Sequence, residues 1–461
     1  MKKIILLSAL FAGHAMYTEQ AGAENLVDVL NVAFEKDPQL KAAKYNQEAS
    51  LENRKQAMAN FLPQISGSWS KSQSDSKTEF DATGSEDSFI IDPEKSESDG
   101  WGISLNQSIY DHANFVRLKQ ADLQEARGYA SYGAAVQDFL IRVAQSYFDV
   151  LTNIDAVKFA ESEEKAIQRQ LDQAEQRYEV GLAAITDVHE ARAQYDGSRA
   201  SVINAKNLLD DTKEALYEIT LNYYDNLNGL PDEFNEYKLT NKDIKYWEEL
   251  ALENNPELQV AIIDADLAEK TIKLEQTGHY PTVGLSASLN ENNSDGGTRD
   301  DIDDNGNPIT IPLPDSTTDS NSIRLSVNVP IFSGGRTSSL SRQAKLRYRA
   351  AMEDLDRITF STVRSIRNAV HNVEAGWSSV QARQLAVISA KSAEEATAAG
   401  FEVGTRNIVE VLNSQRSLYQ AQRDYSRAKH DYLMNVLNLK RAAGVLEQAD
   451  VVGINTLLTV Q

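Results

Sequence analysis

Two periods of apolar residues alternate along the chain. In four short segments apolar residues occupy every second position, and the positions between them are mostly Ser, Gly and Asn. In the first segment Ile65, Gly67 and Trp69 alternate with serines, and in a later one Val283 and Leu285 alternate with Gly and Ser. A period of two predicts β-strands with one apolar face. Each run has about 9–11 residues, enough for a tilted strand to cross a bilayer. The predicted strands are at about 64–75, 99–110, 281–291 and 321–331.

Aromatic residues lie at the ends of these predicted strands, and they help to decide whether the strands face water or lipid. A soluble sheet with one wet face explains the alternation equally well. A membrane strand also explains an aromatic at one end of each run, as found at Phe61, Tyr110, Tyr280 and Phe332. Four strands are too few for a closed barrel, and an open edge in lipid leaves backbone groups unpaired. We therefore expect copies of the chain to pool their strands, two giving eight or three giving twelve.

Most of the remaining sequence has helical periodicity. All ten prolines lie outside Ala113–Leu227 and Ser333–Gln461. Large residues there recur every seven positions with small ones three residues later, which is typical of coiled coils. The heptads predict long helices at 113–180, 184–227, 335–402 and 405–444.

The two halves of the chain repeat one another. "AFEKDPQLKAA" from Ala33 matches "ALENNPELQVA" from Ala251, and "YEVGLAAITDV" from Tyr178 matches "FEVGTRNIVEV" from Phe401. Each half therefore contains two strands, a long helix, a turn and a second long helix. Gly181 and Gly404 are predicted to end the long helices in the left-handed C′ conformation.

Polar residues follow both glycines. Asn407 with Glu410 three residues later reads as a capping box, and Asp187 with Glu190 comes near to one. Helix capping and a functional role therefore remain open alternatives for these residues.

The N-terminal segment, the cysteine count and the net charge limit which classes of protein fit this sequence. "MKKIILLSALFAGHAM" and the "AGA" at Ala21–Ala23 predict a signal peptide at 1–23. The chain has no cysteine and a net charge of −22, which argues against disulfides and nucleic acid. Nine acids lie between Asp75 and Asp99 and eight between Glu291 and Asp319, so we expect acidic, solvated loops there rather than regular elements.

Candidate chemistry is sparse. Asp301, Asp303 and Asn305 stand at calcium-loop positions, but the twelfth position is Pro312 instead of glutamate. An acidic loop that binds no metal explains these residues equally well. The sequence contains no recognisable catalytic constellation and calls for no cofactor, so we expect no enzymatic activity.

The duplicated pattern and its "VGLAAITDV" and "VGTRNIVEV" turns resemble the outer membrane efflux protein family. The resemblance covers essentially the whole mature chain. It implies a mixed α/β membrane protein that forms a homotrimer, with a 12-stranded outer-membrane β-barrel of four strands per protomer. A 12-helix periplasmic α-helical coiled-coil barrel and a small equatorial domain would continue it. The implied divisions are a first repeat at 24–227, an equatorial linker at 228–245, a second repeat at 246–444 and a C-terminal equatorial segment at 445–461.

The resemblance also assigns roles to single residues. Arg406 would face Thr186 and Asp187 of the adjacent subunit and hold a periplasmic gate shut. The family's gate tyrosine is Phe401 here, so that link is expected to be missing. The two acidic rings of the family correspond to Glu410 and Asn413, of which only the first is charged. The implied adaptor-docking turns contain Gly181, Leu182, Gly404 and Thr405.

The implied function is an outer-membrane exit duct reaching through the periplasm of a Gram-negative bacterium. Its implied partners are a periplasmic adaptor, outer-membrane lipid and an inner-membrane transporter of the RND, MFS or ABC type. The cargo is left open: small toxic compounds in tripartite efflux, or proteins in a dedicated type I secretion channel.

Overall fold

The computed structural model describes residues 24–79, 90–237, 239, 241–296, 298–302, 306–312 and 314–459. Side chains at 75–79, 90–96, 298–302 and 308 are not described. The predicted signal peptide lies outside these residues. The chain divides into two compact units, one from Met1–Ala42, Ala134–Asn255 and Ser361–Gln461 and the other from Ala43–Gly133 and Pro256–Phe360.

The second unit contains a four-stranded antiparallel sheet. Its strands are β1 (Gln64–Glu79), β2 (Ile90–Tyr110), β3 (Thr282–Ser294) and β6 (Ser316–Asn328), in the order β1-β2-β3-β6. Two strands thus come from each half of the repeat. The apolar residues of the four strands share one face because the register aligns them, as in the pair Trp69 and Trp101. The alternation seen in the sequence is therefore an amphipathic sheet.

The acidic segments differ from the prediction. They were expected to be loops, but β1 runs on to Glu79, β2 begins at Ile90, and a hairpin forms from β4 (Thr298–Ile302) and β5 (Pro308–Pro312). The ladder continues past the membrane-length run although, of the paired residues there, only a few such as Thr78 and Ile91 have high strand propensity.

The fourth predicted strand ends early. It was expected to reach residue 331, but β6 stops at Asn328. Pro330 has no amide hydrogen to donate to the ladder, which explains why the strand does not continue through it.

Along the chain, each half of the repeat has two short helices before its sheet strands and two long helices after them. Short helices come first, α1 (Leu26–Lys36) and α2 (Pro38–Ala59), then α5 (Ile244–Asn254) and α6 (Pro256–Gln276). Pro38 and Pro256 stand at the first helical position, where a missing amide hydrogen costs nothing. The long helices are α3 (His112–Glu179), α4 (Ile185–Thr220), α7 (Arg336–Glu402) and α8 (Ile408–Ala442), and α9 (Gln448–Asn455) follows. At 1.5 Å per residue, α3 and α7 are each about 100 Å long.

One long helix is shorter than predicted. The sequence placed the end of α4 at 227, but the helix stops at Thr220 and Leu221 takes a left-handed conformation with φ of 55°. The Thr220 hydroxyl accepts a hydrogen bond from the Asn222 amide at 3.3 Å, which turns the chain away. None of the described helices combines the length and the apolarity needed to cross a lipid bilayer.

The first unit packs the linker after α4 against long helices. The hydroxyl of the fully buried Tyr147 on α3 donates to the Asn228 carbonyl at 2.7 Å. On α8, Lys429 donates to the Pro231 carbonyl at 3.0 Å and Tyr432 to the Tyr237 carbonyl at 3.2 Å. Gly229 also bridges to Thr459. The linker and the C-terminal segment therefore lie in one small layer of this unit.

Candidate functional site

The two turns between the long helices share one backbone geometry. Gly181 and Gly404 have φ of 77° and 79°, which confirms the predicted left-handed conformation. Each glycine amide bonds to the carbonyl three residues back, at 2.9 Å and 3.1 Å. The next amides, of Leu182 and Thr405, reach back five residues at 2.7 Å and 2.8 Å. Both helices thus end in a Schellman motif.

The first turn presents apolar side chains and few internal bonds. Val180 is 69% exposed and Leu182 is 74% exposed. Helix α4 begins after Ala184, whose side chain cannot cap it. Asp187 is therefore the third helical residue and not the cap, so the near capping box at Asp187 was wrong. Its backbone takes part in the turn, its amide bonding to the Ala184 carbonyl at 3.1 Å.

Thr186 and Asp187 were assigned to the gate by the resemblance. Within the described part of the chain, neither side chain forms a hydrogen bond or an ion pair. Thr186 is exposed and Asp187 is half-buried. Both remain able to accept a partner from outside the protomer.

The second turn is tied together by side chains. The Gly400 carbonyl accepts hydrogen bonds from the Thr405 hydroxyl at 3.0 Å and from the Arg406 amide at 3.1 Å, in addition to the Thr405 amide. A β-carbon at Gly400 would lie 2.7 Å from Cγ of Arg406. Gly400 therefore allows the Arg406 side chain to fold back across the end of α7, a role that the sequence did not single out.

Arg406 has its partner within the same chain. Its guanidinium bonds to the Glu410 carboxylate at 2.5 Å, with side-chain exposures of 59% and 37%. Asn407 caps α8, its side-chain oxygen accepting from the Glu410 amide at 2.9 Å. The capping half of the predicted box is thus confirmed, while the Glu410 side chain bonds to Arg406. The i, i+4 spacing of Arg406 and Glu410 was the available sequence signal.

Phe401 packs on an apolar cluster next to the two turns. The cluster joins α3, α4 and α8 through Ile167, Leu171, Ala174, Val188, Ala191, Ile408 and Leu412. The Arg177 guanidinium lies 4.8 Å from the centre of the Phe401 ring, a cation–π contact. Sequence reasoning missed Arg177, although it directly precedes the quoted "YEVG" phrase.

Asn413, which the resemblance places at the second acidic ring, and the calcium candidates take no part in these contacts. Asn413 is exposed on α8, three residues beyond Glu410. Asp303 and Asn305 lie outside the described residues, and of Asp301 only the backbone is described, in β4. Among the residues that the structure describes, no three His, Asp or Glu side chains come together as a metal site would require.

Comparisons with known proteins agree across both halves of the repeat. The model of the family described as "Outer membrane efflux protein" matches residues 29–220 and 247–445. Outer membrane protein TolC of Vibrio cholerae serotype O1 is 36% identical over 465 residues, which cover 100% of this chain and 99% of that protein.

Two further similarities concern a secretion protein and a solved channel. Alkaline protease secretion protein AprF of Pseudomonas aeruginosa is 28% identical over 442 residues, which cover 94% of this chain and 87% of that protein. The crystal structure of the Campylobacter jejuni CmeC outer membrane channel superposes with a TM-score of 0.71 at 17% identity, covering 92% of this chain and 87% of that one.

Proposed function

We propose, from the premise that this chain belongs to the outer membrane efflux protein family, that it is a passive exit duct gated at the two helical turns. The protein resides in the outer membrane and extends into the periplasm. It forms a trimer whose 12-stranded barrel takes four strands from each protomer. The sheet supports this arrangement, because β1 and β6 are edge strands whose backbone groups need partners in lipid.

The proposed gate uses an exchange of partners by Arg406. In the single chain Arg406 pairs with Glu410, an exposed i, i+4 pair worth about 0.3–0.5 kcal/mol. Such a weak pair is easily given up for acceptors on the adjacent subunit. Thr186 and Asp187, without partners in the described chain, are those acceptors. The closed gate then links the second turn of one protomer to the first turn of its neighbour.

The acidic group near the gate sets its response to cations. Glu410 supplies one carboxylate per protomer, and Asn413 supplies an uncharged amide one turn farther on. We expect a single ring of three carboxylates at the constriction, one from each protomer.

The turns are the proposed docking surface for a periplasmic adaptor. Leu182 and Val403 are 74% and 76% exposed, more than a packed side chain would be. They flank Gly181, Gly404 and Thr405, so the tip of each helical hairpin presents apolar groups on a rigid backbone. Docking there couples the duct to an inner-membrane transporter of the RND, MFS or ABC type, which supplies the energy.

The cargo is tested in a deletion strain. We expect loss of the gene to cause hypersensitivity to dyes and detergents, as an efflux duct predicts. We expect complementation with the intact gene to restore growth. A gene carrying Arg406→Ala then tests a protein that assembles but has lost the proposed gate contact. Normal resistance combined with a missing protein in the culture supernatant would instead support dedicated type I secretion, which the similarity to AprF favours.

A further inference from the structure

The two faces of the sheet differ sharply in chemistry. One face carries the apolar side chains, and the other carries Ser, Asn, Gly, Gln and Thr at the described positions, with a single exception. That exception is Arg324 on β6. It lies opposite Ser286 of β3, in a row that continues through Asn106 of β2 to Gln64 of β1.

Arg324 lies at the depth of the apolar band. Its neighbours along β6 are Ile323 and Leu325, which are 83% and 67% exposed on the opposite face. That face contacts lipid in an outer-membrane barrel, so Arg324 points to the water-filled interior. An ionisable residue at membrane depth faces an aqueous cavity and commonly marks a path for ions or substrates.

No carboxylate neutralises this arginine within the described residues. Arg324 forms no hydrogen bond or ion pair there. The acids of the sheet whose side chains are described, such as Asp99, Glu291 and Asp319, lie on the outward face together with Lys71.

The adjacent protomer does not supply an acid from its first strand either. In the trimeric barrel β6 is followed by β1 of the next subunit. The interior positions of β1 from Gln64 to Ser74 are Gln and Ser only. Whatever the register between the two strands, this stretch offers hydroxyl and amide groups and no negative charge.

A polar hollow is lined by two neighbours of Arg324, its cross-strand partner Ser286 and Ser326 two residues farther along β6. It has a volume of about 520 Å³ and is lined on the interior face by groups that include Asn106, Ser286 and Ser326. Its one carboxylate belongs to Asp111, which accepts a hydrogen bond from the Ala113 amide at 2.9 Å at the start of α3. The hollow therefore combines hydroxyl and amide groups with one carboxylate that is already hydrogen-bonded, and Arg324 stands next to two of its lining residues, Ser286 and Ser326.

We infer that Arg324 and this hollow form a binding site for an anionic group, a carboxylate, sulfonate or phosphate, inside the barrel. The inference rests on the proposed duct. A guanidinium binds such groups through two parallel hydrogen bonds. Strands about 4.8 Å apart and tilted by about 40° give a 12-stranded barrel about 24 Å across, which places the three guanidinium groups roughly 12 Å apart. They act separately at physiological salt, where the Debye length is about 8 Å, and jointly at low salt.

The test is direct binding of a trisulfonated dye to purified trimers. Pyranine, 8-hydroxypyrene-1,3,6-trisulfonate, is titrated with trimers in neutral detergent at low salt and followed by fluorescence anisotropy. The chain's net charge of −22 makes non-specific anion binding small. We expect Arg324→Gln to weaken binding about tenfold and Arg324→Lys to weaken it less, because the lysine keeps the charge but loses the two parallel hydrogen bonds.

The matched control is Lys71→Gln, which removes the same charge from the outward face. We expect it to bind pyranine as the unaltered protein does. Inorganic phosphate and cholate are then added as competitors, so that a free ion and an organic carboxylate are compared. Displacement by either supports an exchangeable anion site, whereas displacement by neither contradicts it.

Equal binding by Arg324→Gln and the unaltered protein, or no binding to the unaltered protein, would overturn the inference. Every variant is also checked for heat-modifiable trimers and for conductance in a planar bilayer. Trimers that conduct but do not bind the dye reject the anion site alone. Failure of the unaltered protein to conduct rejects the proposed duct.

Discussion

The two helical turns have the same backbone and different side chains. Both close with a Schellman motif around a glycine at positive φ. The first turn then has Ala183 and Ala184 where the second, 223 residues later, has Arg406 and Asn407. Backbone hydrogen bonds therefore form the first turn, whereas a cap, a hydroxyl and an ion pair reinforce the second.

The difference shows how a duplicated element can become two halves of a contact. The turn geometry depends on the glycine and the backbone, so it survives in both copies while the flanking residues diverge. The second copy carries the cation, Arg406, whose pair with Glu410 is exposed. The first carries acceptors, Thr186 and Asp187, that have no partner in the described chain. The proposed gate joins these complementary turns between neighbouring subunits.

The largest expected effect comes from placing an acid one turn into α8, after the second helical turn. Asn413 stands where the first copy has Glu190. Asn413→Asp adds one negative charge per protomer with almost no change in shape. A trivalent cation about 8 Å from one of the three added charges gains about 1.5 kcal/mol from that charge alone at the dielectric constant of water, so affinity rises at least about tenfold. We expect hexaamminecobalt(III) to block planar-bilayer currents at correspondingly lower concentration.

The control for the added charge is Asn413→Gln, which changes size but not charge and is expected to leave the block unchanged. If Asn413→Asp also left the block unchanged, Asn413 would lie away from the conduction path.

Removing the cation makes the second turn resemble the first. Arg406→Ala reproduces Ala183 at the corresponding position and removes the proposed link to the adjacent subunit. A link worth about 1 kcal/mol changes the ratio of open to closed channels about fivefold. We expect conductance in a planar bilayer to rise by about this factor.

A matched arginine on the same helix tests whether this effect is specific. Arg416 is exposed on α8 and, among the described residues, has no ion-pair partner. Arg416→Ala should leave conductance as it was, and an equal rise in both variants would argue against a gate at Arg406.

Periodic sequence patterns predicted part of this arrangement, and short elements without a clear periodic pattern were missed. The repeat, the amphipathic strands and the helix ends at Gly181 and Gly404 follow from periodicity and from glycine's conformational freedom. The hairpin of β4 and β5 was missed although it pairs residues close in sequence, because its strands have only five residues each, two of them acidic in β4 and two of them proline in β5. The pairing of Arg406 with Glu410 was missed because both residues also suit other partners.

A smaller effect is expected from exchanging Phe401 for the residue of the first copy, Tyr178. Phe401→Tyr adds a hydroxyl at the edge of the apolar cluster, near the Arg177 guanidinium. If the hydroxyl reaches Asp187 of the neighbour, a hydrogen bond worth about 0.7 kcal/mol lowers the open fraction about threefold. Single-channel recording measures that fraction. Tyr178→Phe, the reverse exchange at an exposed site, should change it little.

The smallest expected effect concerns the capping residues at the starts of α4 and α8. Ala184 and Asn407 are both extended, with φ of −82° and −98°, as a cap residue requires. Ala184→Asn should therefore stabilise the start of α4, and Asn407→Ala should destabilise the start of α8, each by about 0.5 kcal/mol at these exposed positions. Hydrogen exchange of the Asp187 amide would slow about twofold and that of the Glu410 amide would quicken about twofold, because exchange follows local opening. Parallel changes in both amides would mean that the two turns open as one unit, and their different side chains would then not separate their stabilities.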